Sequence, residues 1–319
     1  MAEELDELNK LFTSKNVEDV IKFYDHFDTA EQLIEWMRKR PSAPMQIYEQ
    51  EGKKDIVVVI PTADHNGELA NNCKEIFKGL QIVFIESNGP FFNYARSCNY
   101  GLKYALKYNP KWIILSNDDI LHSDSIDKLT SNLFKIDHTT SVLAIANQDR
   151  WNKFSFRKRS ILFDFYERFN FHSDYVNIIN KFHIKYEAFS FSSHNKLKAS
   201  IRTKAVHFLT KEIQNMDFSG DFIIFSKKAI IDIYKVYGSI FDEVFINCCE
   251  DSDLCIRTML LSIKRLKLEF NLKSDIGASL GKAPLRNIKG ITSMCYLDYK
   301  FKKSYFNSLH KSKSLQNKI

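Results

Sequence analysis

Acids placed where apolar strands end are the residues best suited to chemistry in this sequence. Asn117-Asp118-Asp119 follows Trp112-Ile113-Ile114-Leu115-Ser116, a run that reads as a fully buried strand. Open α/β sheets bind ligands at the carboxyl ends of their strands, so carboxylates emerging there face a ligand. A hard divalent cation such as Mg2+ or Mn2+ takes one or two carboxylates together with substrate phosphates. Asp118 is the expected metal contact, with Asp119 or Asn117 as its outer partner or a ribose contact. An N-cap cluster for the next helix is the competing reading. The wholly apolar strand in front favours function.

A second acidic cluster, Glu250-Asp251-Ser252-Asp253, lies far downstream, after Phe241-Asp242-Glu243-Val244-Phe245. A carboxylate held among aromatic and apolar residues has its pKa raised and can act as a general base. Acids also suit the first turn of a helix, where the dipole favours them, and Asp253 best fits that capping role. Glu250 and Asp251 are then the candidates for catalysis.

Two further strand ends carry polar groups: Pro61-Thr62-Ala63-Asp64 and Glu86-Ser87-Asn88-Gly89. Hydroxyls and carboxylates on neighbouring strands suit a nucleoside, since a carboxylate accepts from a base N–H or a ribose hydroxyl. Capping of the following helices explains the same residues equally well. The next helix spaces Asn93, Arg96, Asn99 and Lys103 along one polar face, from which Arg96 can reach a phosphate. Solvated surface is the default for such a face.

The elements that must position these groups follow from periodicity. Residues 5–38 read as two or three short helices, the last opening at Thr29-Ala30-Glu31-Gln32, and Pro41 to Pro44 ends a helical leader near residue 50. From 55 onward strands alternate with helices. Strands are expected at 56–60 (stopped by Pro61), 81–85, 112–116, 142–146 and 221–225, and helices at 69–77, 92–108, 124–134, 227–237 and 253–262. This alternation predicts right-handed βαβ units and a doubly wound, mostly parallel sheet with flanking helices. Residues 151–215 lose the rhythm, contain no Gly or Pro, and are expected as an insertion of irregular strands and helices over the ligand face, with an extension of the core as the competing reading. From 291 an aromatic, basic tail is expected, and no internal repeat is visible.

The 319 residues, 44% of them hydrophobic, can bury one large core or two modest ones. No stretch approaches the roughly 20 apolar residues of a membrane span, and the acidic start is unlike a signal. A cytoplasmic protein is expected, with a basic tail able to bring it to the inner face of a membrane. Six cysteines without C-x-x-C spacing argue against zinc and for reduced thiols. The net charge of +7 is uneven: 11 acids against 6 bases in residues 1–50, and 12 bases against 5 acids in 151–215. Nucleic acid, anionic lipid or a phosphorylated substrate would each match the basic stretches, as would a solvated lysine-rich surface.

In order, Val58-Val59-Ile60-Pro61-Thr62, Asn93-Tyr94-Ala95-Arg96-Ser97-Cys98-Asn99-Tyr100-Gly101-Leu102, Asn117-Asp118-Asp119, Ser219-Gly220-Asp221-Phe222 and Phe241-Asp242-Glu243 with Glu250 to Arg257 resemble family 2 glycosyltransferases of the GT-A fold. The likeness is greatest to their rhamnosyltransferase-type branch and spans roughly residues 55–262 apart from the insertion. It implies inverting transfer from a nucleotide-diphosphate sugar to a glycan, lipid-linked or protein acceptor, assisted by a divalent metal. By position, Pro61, Thr62, Asp64, Glu86 and Asn117 would hold the nucleoside with support from Arg96. Asp118 and Asp119 would serve the metal and diphosphate, Gly220 and Asp221 the acceptor side, and Asp251 the base, beside Glu250.

This sequence departs from the family pattern in three places. Ser116 or Asn117 stands where the first acid of Asp-x-Asp is usual, Glu86 replaces an Asp, and Gly277 to Gly281 lacks a histidine found near the metal in many relatives. The missing acid favours an alternative: a catalytically degenerate GT-A-fold protein that binds sugar, polymer or a partner without turnover. The intact second acidic cluster argues for the enzyme. No nucleic-acid-binding motif is present. A nucleotidyltransferase would carry a Gly-rich basic loop after the first strand, and Thr62 to Gly67 is neither.

Overall fold

The computed structural model describes residues 2–148, 151–193, 196–216, 220–274 and 284–305. Three helices open the chain: α1 (Ala2–Thr13), α2 (Val17–Asp25) and α3 (Ala30–Lys39). Asn16 caps α2, and Thr29 with Gln32 closes the full capping box expected on α3. Strands and helices then alternate: β1 (Gln46–Gln50), β2 (Lys53–Thr62), α4 (Glu68–Ile76), β3 (Leu80–Glu86), α5 (Tyr94–Ala105), β4 (Trp112–Ser116), β5 (Ile120–Ser123), α6 (Ile126–Phe134) and β6 (Val142–Gln148). Next come β7 (Trp151–Lys158), α7 (Ile161–Asn170), α8 (Ser173–Lys181), β8 (Tyr186–Ser193), α9 (Lys196–Leu209) and β9 (Lys211–Met216). The remainder is β10 (Phe222–Ser226), α10 (Lys227–Tyr237), α11 (Glu250–Leu260), β11 (Lys264–Ser274) and α12 (Leu285–Lys300).

One sheet runs in the order β1-β3-β2-β4-β10-β6-β11-β5. The α/β class is as expected, but the sheet is mixed rather than mostly parallel. β3/β2, β2/β4 and β6/β11 pair in parallel, whereas β1/β3, β4/β10, β10/β6 and β11/β5 are antiparallel. A buried apolar strand reads the same in either direction; its connection decides, and β10 returns from the long 151–216 excursion between β4 and β6. Pro61 does not stop β2, because the β4 ladder has already ended at Val59 and that side tolerates a residue without an N–H.

Successive residues face opposite sides, giving two cores. Val57, Val59, Val83, Ile85, Ile113 and Leu115 pack with α5, α10, α11, α12 and the first three helices. Ile56, Val58, Ile60, Ile82, Phe84 and Ile114 pack with Phe77, Leu129 and Leu133. With both faces covered, the central strands have no polar side. Gly101 lets α5 lie close: a Cβ there would stand 2.3 Å from Val59 Cγ1 and 2.8 Å from Ile85 Cγ1.

The acidic loop after β4 is short, yet it leads to β5 at the far end of the strand order. Four residue steps reach about 14 Å, while four strand spacings come to about 19 Å. The sheet therefore curls back on itself. Asn72 of α4 donates to the Ile120 carbonyl and ties β5 beside the strands the loop left.

The 151–216 segment builds its own antiparallel sheet, β8-β7-β9, which packs through β8 onto α12 while β9 touches α11. Asp298 of α12 accepts from the backbone of Lys185 and Tyr186, and Phe301 packs on Phe156 and Tyr186. Residues 291–305, expected as a basic tail, are thus a buried helix and its extension: Tyr296 and Phe301 are buried because hydrophobic contacts cover both sides of α12. Residues 306–319 (with His310) and Gly277 to Gly281 lie outside the described residues.

The first three helices are not a detached leader. Tyr24 donates to the Ile288 carbonyl at 2.7 Å, Lys289 donates to the Ser14 carbonyl at 2.8 Å, and one core joins them to α12. β1, inside the expected leader, is an edge strand of the main sheet. Among the described residues no helix is long and apolar enough to cross a membrane.

Candidate functional site

The C-terminal ends of β2, β3 and β4 meet the start of β10 and of α11 along one edge. Register sets the first contacts. Thr62 pairs with Glu86 at the ends of β2 and β3, and its buried hydroxyl donates to Asp118 Oδ2 at 2.7 Å. Burial raises the Asp118 carboxyl above its ordinary value, outweighing the Thr62 hydrogen bond. The Asp64 backbone N–H returns to the Thr62 hydroxyl, closing the turn.

His65, in the same loop, was not singled out by its sequence position. Its backbone N–H donates to Glu86 Oε2 at 2.9 Å and its Nδ1 lies 2.6 Å from the same oxygen. These two contacts hold Glu86 below the usual carboxylate range. Its ring stacks on Tyr48 of β1, centroids 3.4 Å apart and planes 7° apart. Asp64, His65 and Glu86 offer ligand atoms within 4.8 Å of one another, but Glu86 Oε2 is already engaged by His65. A histidine one residue beyond a strand-end acid is the only local cue; its partner comes from the next strand.

Asn117 joins the second half of the edge. Its backbone N–H donates to the Asp221 carbonyl at 2.9 Å, as the antiparallel Ser116–Phe222 register requires. Its side-chain Oδ1 is enclosed and has no hydrogen-bond partner among the described residues. Asp118 and Asp119 are half-buried beside it. This oxygen-only donor set fits a hard divalent cation of the Mg2+ or Mn2+ kind.

Asp251 stands in the first turn of α11. Its Oδ2 accepts from Gly220 N at 3.1 Å and its Oδ1 from Ser252 N at 2.7 Å. Burial raises the Asp251 pKa against these two donors, and the charge of Asp221 adds to the rise. Gly220 is itself held by Tyr94, whose hydroxyl donates to its carbonyl at 2.8 Å. The turn feeding α11 is strained: Asn247 (φ 52°) and Cys249 (φ 67°) are left-handed without being glycine. Asn247 Oδ1 accepts from Tyr94 N, and Asn93 Nδ2 donates to the carbonyls of Glu243 and Phe245. The expected polar face of α5 is therefore half clamp: Asn93 and Asn99 grip the 241–247 segment, while Lys103 is exposed.

Glu250 is buried behind Asp251. Burial, then the Asp251 charge, pushes its carboxyl well above the ordinary value, and its Oε2 lacks a hydrogen-bond partner among the described residues. Asp253 does not cap α11. Its carboxylate is fully buried, 2.6 Å from Arg257 Nε and 2.8 Å from Lys300 Nζ, because Arg257 follows it by one helical turn and α12 brings the lysine. Asp242 shares Lys300 at 2.6 Å and accepts from Tyr296 at 2.9 Å. Burial pushes Asp242 up, but Lys300 and these hydrogen bonds hold it below the usual range.

Arg96 is half-buried on α5, and its guanidinium makes no hydrogen bond or ion pair among the described residues. Thr62, Asp64, Glu86, Asn117, Asp118, Gly220, Asp221 and Asp251 are thus linked along one edge by hydrogen bonds and register. Comparison with protein-family models and with functionally described proteins finds no match to this chain.

Proposed function

We propose that this chain is an inverting glycosyltransferase of the GT-A type, moving a sugar from a nucleotide-diphosphate donor to an acceptor hydroxyl. One observation carries the reading: Asp251, a carboxylate with raised pKa fixed by Gly220 and Ser252, shares a sheet edge with the Thr62–Asp118 pair. A base near a donor-diphosphate anchor is what direct displacement at a sugar carbon needs.

In this reading Asp251 takes the proton from the acceptor hydroxyl. The acceptor oxygen attacks the anomeric carbon from the face opposite the diphosphate, and the bond from that carbon to the diphosphate oxygen breaks. The nucleoside diphosphate leaves with the bonding electrons, and the configuration inverts. Gly220 N–H orients the base, and Tyr94 fixes Gly220. Glu250, buried behind Asp251 and pushed well above the ordinary carboxylate value by burial and then by the Asp251 charge, takes no proton from the acceptor in this reading. Thr62, Asp64, His65 and Glu86 would face the nucleoside, and the uncommitted Arg96 would meet a phosphate. Asp118, with Asn117 and Asp119 beside it, would hold a divalent ion. The chemistry such an ion would supply is neutralisation of the diphosphate charge.

The alternative, a binding protein on the same fold, is favoured by the neutral Ser116 or Asn117 where the first acid of Asp-x-Asp is usual. A screen of nucleotide-diphosphate sugars with Mn2+, read as release of free nucleotide diphosphate, separates the two. The enzyme reading expects acceptor-dependent release with at least one donor. Donor binding by calorimetry without any release across acceptors would establish the binding protein instead.

A further inference from the structure

The largest exposed apolar side chains of the described residues gather on two helices of the 151–216 segment. On α7, Ile161 (75% exposed), Leu162, Phe165 and Phe169 (88%) fall on one side, opposite the buried Phe163 and Glu167. On α9, Leu197, Ile201 and Phe208 (84%) form a single line, opposite the buried Val206. The helices touch, and Ser160, the N-cap of α7, donates to the Leu209 carbonyl at the end of α9. That bond joins the N-terminus of α7 to the C-terminus of α9. Apolar patches of this extent mark a surface that another phase or partner covers.

The charge around them selects the occupant. Of the twelve bases and five acids in residues 151–215, Arg157, Glu167 and Glu187 are buried and the Arg159 side chain is 5% exposed; Arg159 holds both glutamates, while Arg157 pairs with Glu212. Of the bases that remain, Arg168 of α7 and Lys204 of α9 are exposed beside the apolar side chains, and no acid occurs in the α9 sequence. Two copies of such a face would repel one another. An anionic lipid surface satisfies both properties at once, taking the Phe, Ile and Leu side chains into its acyl boundary and the lysines among its headgroups. We propose that the outer faces of α7 and α9 form a peripheral docking surface for an anionic membrane. This surface does not depend on the catalytic reading of the acidic edge, and it lies apart from the described part of the expected tail, in which Tyr296 and Phe301 are buried.

Co-sedimentation of the full chain with phosphatidylcholine vesicles, with and without phosphatidylserine, tests it. Binding is expected only to the anionic vesicles and should weaken as salt rises. A Phe169→Ser/Phe208→Ser double variant removes only exposed side chains, so its thermal unfolding should match the parent while its partitioning falls about tenfold or more. Lys204→Glu with Arg168→Glu should weaken binding independently. The proposal is overturned by equal binding to neutral vesicles, by no binding to either, or by a double variant that binds like the parent. It is equally overturned if the parent self-associates without lipid and the double variant does not, since the face would then join two copies.

Discussion

At the scale of single residues, the proposed chemistry rests on carboxylates whose surroundings differ. Asp118 and Asp251 could be picked out from the sequence because each combines an acidic type with a place at the end of a buried strand or the start of a helix. His65 and Lys300 could not, since each acquires meaning only from a partner on a distant element: Glu86 for one, Asp242 and Asp253 for the other. Under the proposed function the raised Asp251 pKa has a kinetic consequence. The ionised base fills only as pH rises through a value above the ordinary Asp value of about 3.9, so kcat/KM should fall on the acid side with its midpoint above that value. An acid limb at the ordinary value would show that burial does not tune this group. Lys300→Ala removes the lysine from the fully buried Asp253 and strips Asp242 of its cation. The expected cost is on the order of 3 kcal/mol, read as a lower denaturant midpoint.

At the scale of elements, the sequence announced most helices and buried strands through their caps and apolar runs. It was silent on β5 and β11. β11 alternates Leu268, Phe270 and Leu272 with polar residues, a strand pattern that the acid-led helix before it overshadowed, and β5 is too short to show a period. Strand direction was also hidden, because an apolar run carries no arrow. Two elements give direct tests. Gly101→Val would force a side chain into Val59 and Ile85 and push α5 off the sheet, costing about 1–3 kcal/mol by denaturant unfolding. In the 151–216 segment, Arg159 is shared by the buried Glu167 and Glu187 and by Asp164. Burial first, then the Glu187 charge, pushes Glu167 up to about 8 against the pull of Arg159. A raised carboxyl stabilises the fold in its protonated form, fully below its ordinary value of 4.5, and that stability is lost as pH rises through about 8. Glu167→Gln keeps the neutral form, so its melting temperature should fall less than the parent's over that window; identical profiles would assign the loss to another group.

At the scale of the whole molecule, the α/β class was legible, but the integration of its ends was not. Periodicity shows that residues 5–38 are helical; it does not show that Phe12, Phe23 and Trp36 share a core with α12. Deleting residues 1–40 should therefore expose the buried face of α12 and yield aggregated chain, whereas a soluble product with the parent's melting temperature would make the helices a separable leader. The central claim is that one sheet edge divides into a donor half around Asp118 and a base at Asp251. Asp251→Asn tests it most directly, with donor binding by calorimetry and nucleotide release followed side by side. The account predicts donor affinity close to the parent's and loss of acceptor-dependent release. Release at the parent's rate by Asp251→Asn would contradict it.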